Sequence, residues 1–224
     1  MNEIIRLENV VQMAQNNWRA VNGVSLQVRE KERVTVCGGS GSGKDELMRL
    51  IAGMEKPSSG TVSVLGQAVH AMSSDEAAAF RNQNIGVVLR EPGFMDQLRV
   101  AENISLPLII RGMNRHRSQK AAADLMKALN IRQTAQAYPT QMNSYEMRIA
   151  GIARALITEP RILMMADVTS RLSQRESERM LDTIRAISQY GDCTVLCLCD
   201  QADDRLHVDR TIYMENGKIR EDSK

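Results

Sequence analysis

The sequence predicts an α/β fold in which strands and helices alternate around a sheet with a parallel centre. Two patterns indicate this class. Short apolar runs that are typical of buried strands alternate with segments whose apolar residues recur every three or four positions, as in helices. One of these runs, residues 34–37, leads directly into a glycine-rich loop and then into a helical segment. Strands that alternate with helices form parallel sheets, so we expect the centre of the sheet to be parallel.

Composition places further limits on the class of protein. The chain has 224 residues, of which 43% are hydrophobic and 3% aromatic, and 14 are Met. We therefore expect one domain over 1–224 with an aliphatic, adaptable core. A net charge of +2 gives no attraction towards nucleic acid, which is not expected as a partner. No apolar run approaches the roughly 18 residues of a membrane span, and residues 1–6 do not resemble a signal peptide, so we expect a cytoplasmic protein.

The elements around the glycine-rich loop follow from the same patterns. Residues 4–36 alternate between apolar and polar positions, which predicts antiparallel strands before the loop. Turns are expected at 57–60 and at Asn216-Gly217, the second as a hairpin. The other predicted strands are 61–65, 85–89, 161–166, 194–198 and 210–214, and the other predicted helices are 77–81 and 173–188.

A largely helical segment at approximately 92–158 is expected to form an inserted subdomain. It contains a helix at 121–129, for which Ser118 is the predicted N-cap, and Tyr138-Pro139 then breaks the chain. Asn143 opens the next helix, because an Asn side chain can accept a hydrogen bond from a free backbone N–H at a helix start.

The four cysteines are predicted to be packing residues. Two of them, Cys197 and Cys199, alternate within an apolar run, where a strand would place both on one face. The others are Cys37 and Cys193. A metal site is the alternative, but paired C-x-x-C spacing and a nearby His are both missing.

The glycine-rich loop has the spacing G-x-x-x-x-G-K, which cradles phosphate groups. Its glycines allow successive backbone N–H groups to turn towards one anion, at the positive end of the following helix. Lys44 is expected to contact the outer phosphates. The motif next requires Ser or Thr, whose hydroxyl ligates Mg²⁺, and this chain has Asp45 instead. The predicted phosphate-binding residues are Gly38, Gly39, Ser40, Gly41, Ser42, Gly43, Lys44 and Asp45.

Taken in order, these motifs make the chain resemble the ATP-binding subunits of ABC transporters over essentially its whole length. After the glycine-rich loop, the motifs that carry the resemblance are 85–90, Tyr138-Pro139-Thr140-Gln141, 152–156 and 162–167. Similarity to the branch with lipoprotein-releasing and macrolide-exporting transporters is carried by 101–104, 107–108 and 111–113. The resemblance implies a P-loop NTPase core of the ABC ATPase type, with a parallel-centred sheet, an antiparallel β lead-in and an inserted helical subdomain.

The resemblance also implies roles for residues around the nucleotide, and most of these residues are altered here. Asp45 replaces the hydroxyl that ligates Mg²⁺, and Arg90 replaces the Gln that reaches Mg²⁺ and water. The Asp that supports Mg²⁺ is retained as Asp167. Val168 stands in the position of the catalytic Glu, and Cys199 in that of the His that contacts the γ-phosphate. No catalytic residue is therefore assigned, and Asp45 and Asp167 are the only candidate metal ligands.

The motifs through which two such subunits share ATP, head to tail, depart from the family as well. The Leu-Ser-Gly-Gly signature is Met142-Asn143-Ser144-Tyr145, although Glu146 matches, and the later Leu-Asp pair is Leu172-Ser173. The aromatic residue that would stack on the base falls near Gln15, with Trp18 as the nearby substitute.

Two placements of Arg90 remain open. If its side chain enters the pocket, it could pair with Asp45 or Asp167, and its guanidinium would supply the charge of a missing Mg²⁺. Alternatively, Arg90 faces solvent beside Glu91, and this is the preferred interpretation from the sequence.

The expected function is that of a hydrolysis-deficient subunit beneath a membrane-spanning partner, at the inner face of the cell membrane. ATP binding would be weak and Mg²⁺ binding doubtful. A second ATPase subunit is expected as partner, in a heterodimer or alternatively a homodimer, and residues 90–114 would receive the membrane subunit. One alternative is a weak ATPase that uses Asp45 or Glu146 in a new role. The other is a soluble, non-transport ABC protein, which would usually carry tandem domains or long coiled coils.

Overall fold

A computed structural model describes residues 2–14, 18–190 and 192–223, with the side chains of residues 189 and 190 left out. The chain divides into two compact units. The first unit comprises Met1–Arg81 and Asp192–Lys224, and the second unit comprises Asn82–Gly191.

The described residues form strands and helices in alternation. The strands are β1 (Glu3–Met13), β2 (Arg19–Arg29), β3 (Arg33–Cys37), β4 (Ser59–Val64), β5 (Gln67–Ala68), β6 (Ile85–Val88), β7 (Ile162–Ala166), β8 (Thr194–Cys199), β9 (Arg210–Glu215) and β10 (Lys218–Ser223). The helices are α1 (Lys44–Ile51), α2 (Ser74–Asn84), α3 (Val100–Ile110), α4 (Arg115–Ala128), α5 (Ser144–Leu156) and α6 (Gln174–Tyr190).

The antiparallel strands that precede the glycine-rich loop are confirmed. In the first unit β1 lies between β2 and β4, antiparallel to both, and the short β5 pairs with β4. Ile5 pairs with Val28 on one side and with Val64 on the other, and all three are buried. The alternation of apolar and polar residues therefore places one face of this sheet in the core.

The strand that leads into the glycine-rich loop lies between two parallel neighbours. In the first unit β3 pairs with β8 on one side and with β9 on the other. β10 returns antiparallel to β9 through Asn216 and Gly217, whose φ angles of 51° and 75° fit the predicted hairpin. The loop consequently starts at the carboxyl edge of parallel strands, where ligands bind in open α/β sheets.

The helix after the loop is held by one apolar face. Leu47, Met48, Leu50 and Ile51 of α1 are buried, while Asp45 and Glu46 in its first turn are only half-buried. This spacing buries an apolar stripe and leaves polar residues at the start of the helix.

The second unit contains the parallel pair β6 and β7 and the helices α3 to α6. Every residue of β7 is buried, as expected for its continuous apolar run. The start of α4 differs from the prediction. The N-cap is Asn114, whose side chain accepts a hydrogen bond from the His116 N–H at 2.9 Å. Ser118 lies inside the helix, and its hydroxyl donates a hydrogen bond to the Asn114 carbonyl. The two residues that could cap this helix therefore lie within one turn of each other.

The helices of the described residues, in the ranges given above, differ in length and polarity from a membrane-spanning helix. Within those ranges, the helices are each too short or too polar to cross a bilayer.

Candidate nucleotide-binding site

The shape of the glycine-rich loop depends on positions where no side chain fits. Gly43 has a φ of 95°, and a Cβ atom there would collide with the Ala20 carbonyl oxygen. A Cβ atom on Gly38 would lie 2.6 Å from the Met214 carbonyl oxygen. The loop therefore packs directly against backbone, and these two predicted positions require glycine.

Lys44 is the first residue of α1 and is almost completely buried. Its side chain is 2% exposed, and its Nζ donates hydrogen bonds to the Gly38 carbonyl at 2.8 Å and to Asp200 Oδ1 at 2.9 Å. An ammonium group has three N–H donors, so these two contacts leave one for an anion. The contact with Asp200 was not predicted, although an Asp directly after a buried strand is a common signal for a site residue.

The loop also contains a polar atom suited to a phosphate. Ser42 is buried, and its Oγ has no hydrogen-bond partner within the described ranges. A buried hydroxyl without a partner costs free energy, which a bound anion would offset. Together with Lys44 and the glycine backbone, this orphan hydroxyl fits a phosphate group.

Asp45 lies in the first turn of α1 and is half-buried. Its carboxylate makes no ion pair with any residue that the structure describes. A carboxylate in the first turn interacts favourably with the helix dipole, so Asp45 has a structural role there. It also brings a negative charge to the position where the motif has a neutral hydroxyl.

In the second unit Arg90 and Asp167 form an ion pair. The Arg90 Nε lies 3.1 Å from Asp167 Oδ2, and Nη2 contacts the same oxygen. The preferred placement of Arg90 beside Glu91 in solvent is therefore wrong, and the pairing with Asp167 is correct. The reason is burial: the Asp167 side chain is 4% exposed and requires a cation, while Arg90 is 48% exposed and keeps part of its side chain in water.

The backbone of Asp167 is held as firmly as its carboxylate. Its φ is 48°, and its carbonyl accepts a hydrogen bond from the buried Arg148, which also contacts Ser170 Oγ at 3.1 Å. Burial lowers the pKa of Arg148, against the attraction of Asp167. Both Arg90 contacts go to Oδ2, so the guanidinium engages one carboxylate oxygen of this candidate metal ligand. Val168, next in the chain, is buried and has no polar atom in its side chain.

The start of α5 is closed by its own side chains. Asn143 Oδ1 accepts from the Glu146 N–H at 2.9 Å, and Glu146 Oε2 accepts from the Asn143 N–H at 3.1 Å, which confirms the predicted N-cap. The Arg179 guanidinium lies over the Tyr145 ring, 4.7 Å from its centroid. The segment at the signature position is therefore a well-formed helix start, and the Tyr145 ring in its first turn is covered by a guanidinium.

The predicted burial of cysteines is confirmed for Cys37, Cys193 and Cys197, whereas Cys199 is partly exposed and contacts Cys37 across β3 and β8. Gln15, where the stacking aromatic was expected, lies outside the described residues. Trp18 is described and is 51% exposed.

A glycine-rich loop between a buried strand and a helix, with a buried Lys at the helix start, defines a P-loop protein. Residues 21–170 match the family described as "ABC transporter". The chain belongs to the ABC transporter family.

Individual relatives extend the match to most of the chain. The lipoprotein-releasing system ATP-binding protein LolD of Chromohalobacter salexigens is 30% identical over 203 residues, which cover 91% of this chain and 86% of the relative. The methionine import ATP-binding protein MetN of Brucella abortus is 31% identical over 220 residues, or 98% of this chain and 59% of MetN.

Solved structures agree with the fold described above. The ATP-binding cassette MJ0796, in a dimeric post-hydrolysis state with ADP and Pi, matches with a TM-score of 0.91 and 25% identity over 99% of this chain and 98% of its own. The cbiO1 protein of Clostridium perfringens matches with a TM-score of 0.86, at 18% identity over 100% of this chain and 89% of its own. These matches confirm the predicted α/β fold of the ABC ATPase type.

Proposed function

We propose that this chain is an ATP-binding subunit of an ABC transporter that does not hydrolyse ATP in its own site. The observation that carries the proposal is the ion pair between Arg90 and Asp167. The carboxylate that supports Mg²⁺ in the family is here neutralised by a guanidinium of the same chain. Mg²⁺ therefore has to compete with the Arg90 guanidinium for the Asp167 carboxylate.

Other altered positions support the loss of hydrolysis. Val168 replaces the carboxylate that would position water, and its apolar side chain cannot accept a proton. Cys199 replaces the His at the γ-phosphate. Loss of one such group typically lowers the rate roughly 10²–10⁴-fold, so the combined losses remove useful turnover.

Nucleotide binding is a separate property, and the loop retains part of it. Lys44, the glycine backbone and the orphan Ser42 hydroxyl can hold the phosphates. Asp45 opposes this, because it places a like charge beside them. We therefore propose weak ATP binding that owes little to Mg²⁺.

The proposed role is to transmit or restrain motion between a membrane-spanning subunit and a second, catalytically complete ATP-binding subunit. LolD is named as part of a lipoprotein-releasing system, cbiO1 as part of a transporter complex, and MJ0796 as a dimer. A homodimer of this chain would contain no competent site and no source of free energy for transport, which favours a heterodimer. The chain would then lie at the inner face of the cell membrane.

The membrane subunit is proposed to contact residues 90–114, at the start of the helical subdomain predicted at approximately 92–158. Met95 is 53% exposed and follows Phe94, whose ring stacks against Arg154. Leu98 and Arg99 complete this proposed contact surface. Exposed apolar side chains beside a charged rim are typical of protein interfaces.

The proposal is tested by titrating the purified chain with ATP, with and without Mg²⁺, in a calorimeter. We expect weak binding that Mg²⁺ changes less than about threefold and that Lys44→Ala removes. Arg90→Gln frees the Asp167 carboxylate and should make binding depend on Mg²⁺. Binding by the unmodified chain that Mg²⁺ tightens more than about tenfold would contradict the proposal.

A second function, a weak ATPase of unconventional mechanism, is favoured by one observation. The Asp45 carboxylate is half-buried and has no ion-pair partner in the described part of the chain. Carboxylates are good Mg²⁺ ligands, so Asp45 could hold the cation that Asp167 does not. Binding that Mg²⁺ tightens, together with turnover that Lys44→Ala abolishes, would support this function instead.

A further inference from the structure

Two cysteines meet at the base of the glycine-rich loop. Cys37 is the last residue of β3, Cys199 is the last residue of β8, and the two are register partners on parallel neighbouring strands. Their Sγ atoms lie 3.2 Å apart. Adjacent strands are about 4.8 Å apart, which is within the Cα separation of about 4.4–6.8 Å that a disulfide spans. The backbone therefore already holds the two residues at a separation that a disulfide can span.

The surroundings of Cys37 favour its thiolate form. The hydrogen bond with Cys199 lowers the pKa of the Cys37 thiol, burial opposes this, and the Lys44 ammonium lowers it further. The other two thiols differ. Burial raises the pKa of Cys197 to about 12 and also raises that of Cys193. Since the thiolate is the reactive form, the reactivity lies with the Cys37 and Cys199 pair.

We propose that Cys37 and Cys199 form a reversible disulfide when the chain meets hydrogen peroxide, which makes the pair a redox modification site beside the glycine-rich loop. Cys199 is the partly exposed member and reacts first. The Cys37 thiolate first accepts the Cys199 thiol proton across the 3.2 Å contact. The sulfur of the more exposed Cys199 then attacks one peroxide oxygen, the O–O bond breaks, and the hydroxide that leaves takes the proton back from Cys37 to form water.

The Cys37 thiolate then completes the reaction. It attacks the sulfenic sulfur of Cys199, the S–S bond forms and hydroxide leaves, to be protonated to water. The two thiols together lose two electrons and two protons, and the peroxide is reduced to two waters. An added dithiol reverses the step by exchange.

The bond would join two segments that build the phosphate-binding end of the first unit. The Gly38 N–H donates to the Cys199 carbonyl at 3.1 Å, and Asp200, the partner of Lys44, directly follows Cys199. Oxidation would also remove the Cys37 thiol, whose pKa the Lys44 ammonium lowers. The inference does not require that the chain binds nucleotide, because it rests on the geometry of the two thiols alone.

The test is peptide mapping of the full chain after treatment with hydrogen peroxide and alkylation of the remaining thiols. We expect a cross-linked peptide pair containing Cys37 and Cys199, a loss of two hydrogen atoms per chain, and recovery of both thiols with dithiothreitol. Cys199→Ser and Cys37→Ser should each abolish the cross-link. Cys193→Ser, the matched control, should leave it unchanged.

Other products would overturn the inference. These are a chain whose Cys199 goes to sulfinic or sulfonic acid without a cross-link, a disulfide between two chains, or unmodified thiols. The mapping of the unsubstituted chain decides between these outcomes even if a serine variant folds poorly. Neither result depends on ATP, so it leaves the proposed function untouched.

Discussion

Replacing Asp45 by Asn or Ser should tighten ATP binding. Asp45 follows the buried Lys44 in the first turn of α1 and has no ion-pair partner among the described residues. A carboxylate about 4 Å from a phosphate costs up to about 4 kcal/mol at an effective dielectric constant near 20. The side chain is half-buried, and water reduces the repulsion further, so about 1–3 kcal/mol is the expected gain, or roughly 5- to 150-fold in affinity.

The two substitutions separate charge from metal ligation. Both remove the negative charge, so without Mg²⁺ they should tighten binding equally. Only Ser restores a hydroxyl that can ligate Mg²⁺, so any difference between the two should appear on adding the cation. Binding is measured by calorimetry, and each variant should lose about 0.3–1 kcal/mol of stability with the first-turn charge.

Glu46→Gln is the matched control for this experiment. Glu46 is the other acidic residue in the first turn of α1, but it pairs with Arg49 at 3.0 Å. Glu46→Gln removes a charge of the same sign from the helix start but leaves Asp45 beside the phosphates. The affinity for ATP should therefore change less than about twofold. Unchanged affinity in both Asp45 variants, or an equal gain in Glu46→Gln, would refute the reasoning.

Two further predictions concern ion pairs. Arg90→Ala should lower the free energy of unfolding, measured in urea, by about 1–3 kcal/mol, because it removes the cation that pairs with the buried Asp167 carboxylate. Adding Asp167→Asn to this variant should restore most of the lost stability. If the effects of the two substitutions on stability simply add, the two side chains are not coupled. The Arg33 guanidinium lowers the pKa of Asp209. The stability that this ion pair contributes is therefore present above the ordinary pKa of Asp and is lost as the pH falls through the lowered pKa of Asp209 in the folded chain. Asp209→Asn should therefore lower the free energy of unfolding by less than about 1 kcal/mol at neutral pH and not at all in acid, as measured by denaturant unfolding at several pH values. A loss of stability that grows in acid would contradict this prediction.

The parts of the fold that short sequence patterns determine were predicted correctly. The hairpin at Asn216-Gly217 needs two residues with positive φ, and the N-cap of α5 needs an Asn at one position. In such cases the residue type dictates the backbone. The start of α4 was misplaced because Asn114 and Ser118 can both cap within one turn, and only the packing of the helix selects between them.

The ion-pair partners of charged side chains could not be predicted from such short sequence patterns. Arg90 and Asp167 are 77 residues apart, and Lys44 and Asp200 are 156 apart. Which cation neutralises a buried carboxylate depends on tertiary distances that no local pattern contains. The sequence offered Asp45 and Asp167 as partners for Arg90, and burial of Asp167 determined the outcome.

The most direct test of the central proposal is ATP turnover by the purified chain at saturating ATP and Mg²⁺, compared with Lys44→Ala. The proposed loss of hydrolysis predicts that phosphate release by the unsubstituted chain equals that by Lys44→Ala. Faster phosphate release by the unsubstituted chain than by Lys44→Ala would contradict the account and show that the chain hydrolyses ATP in its own site.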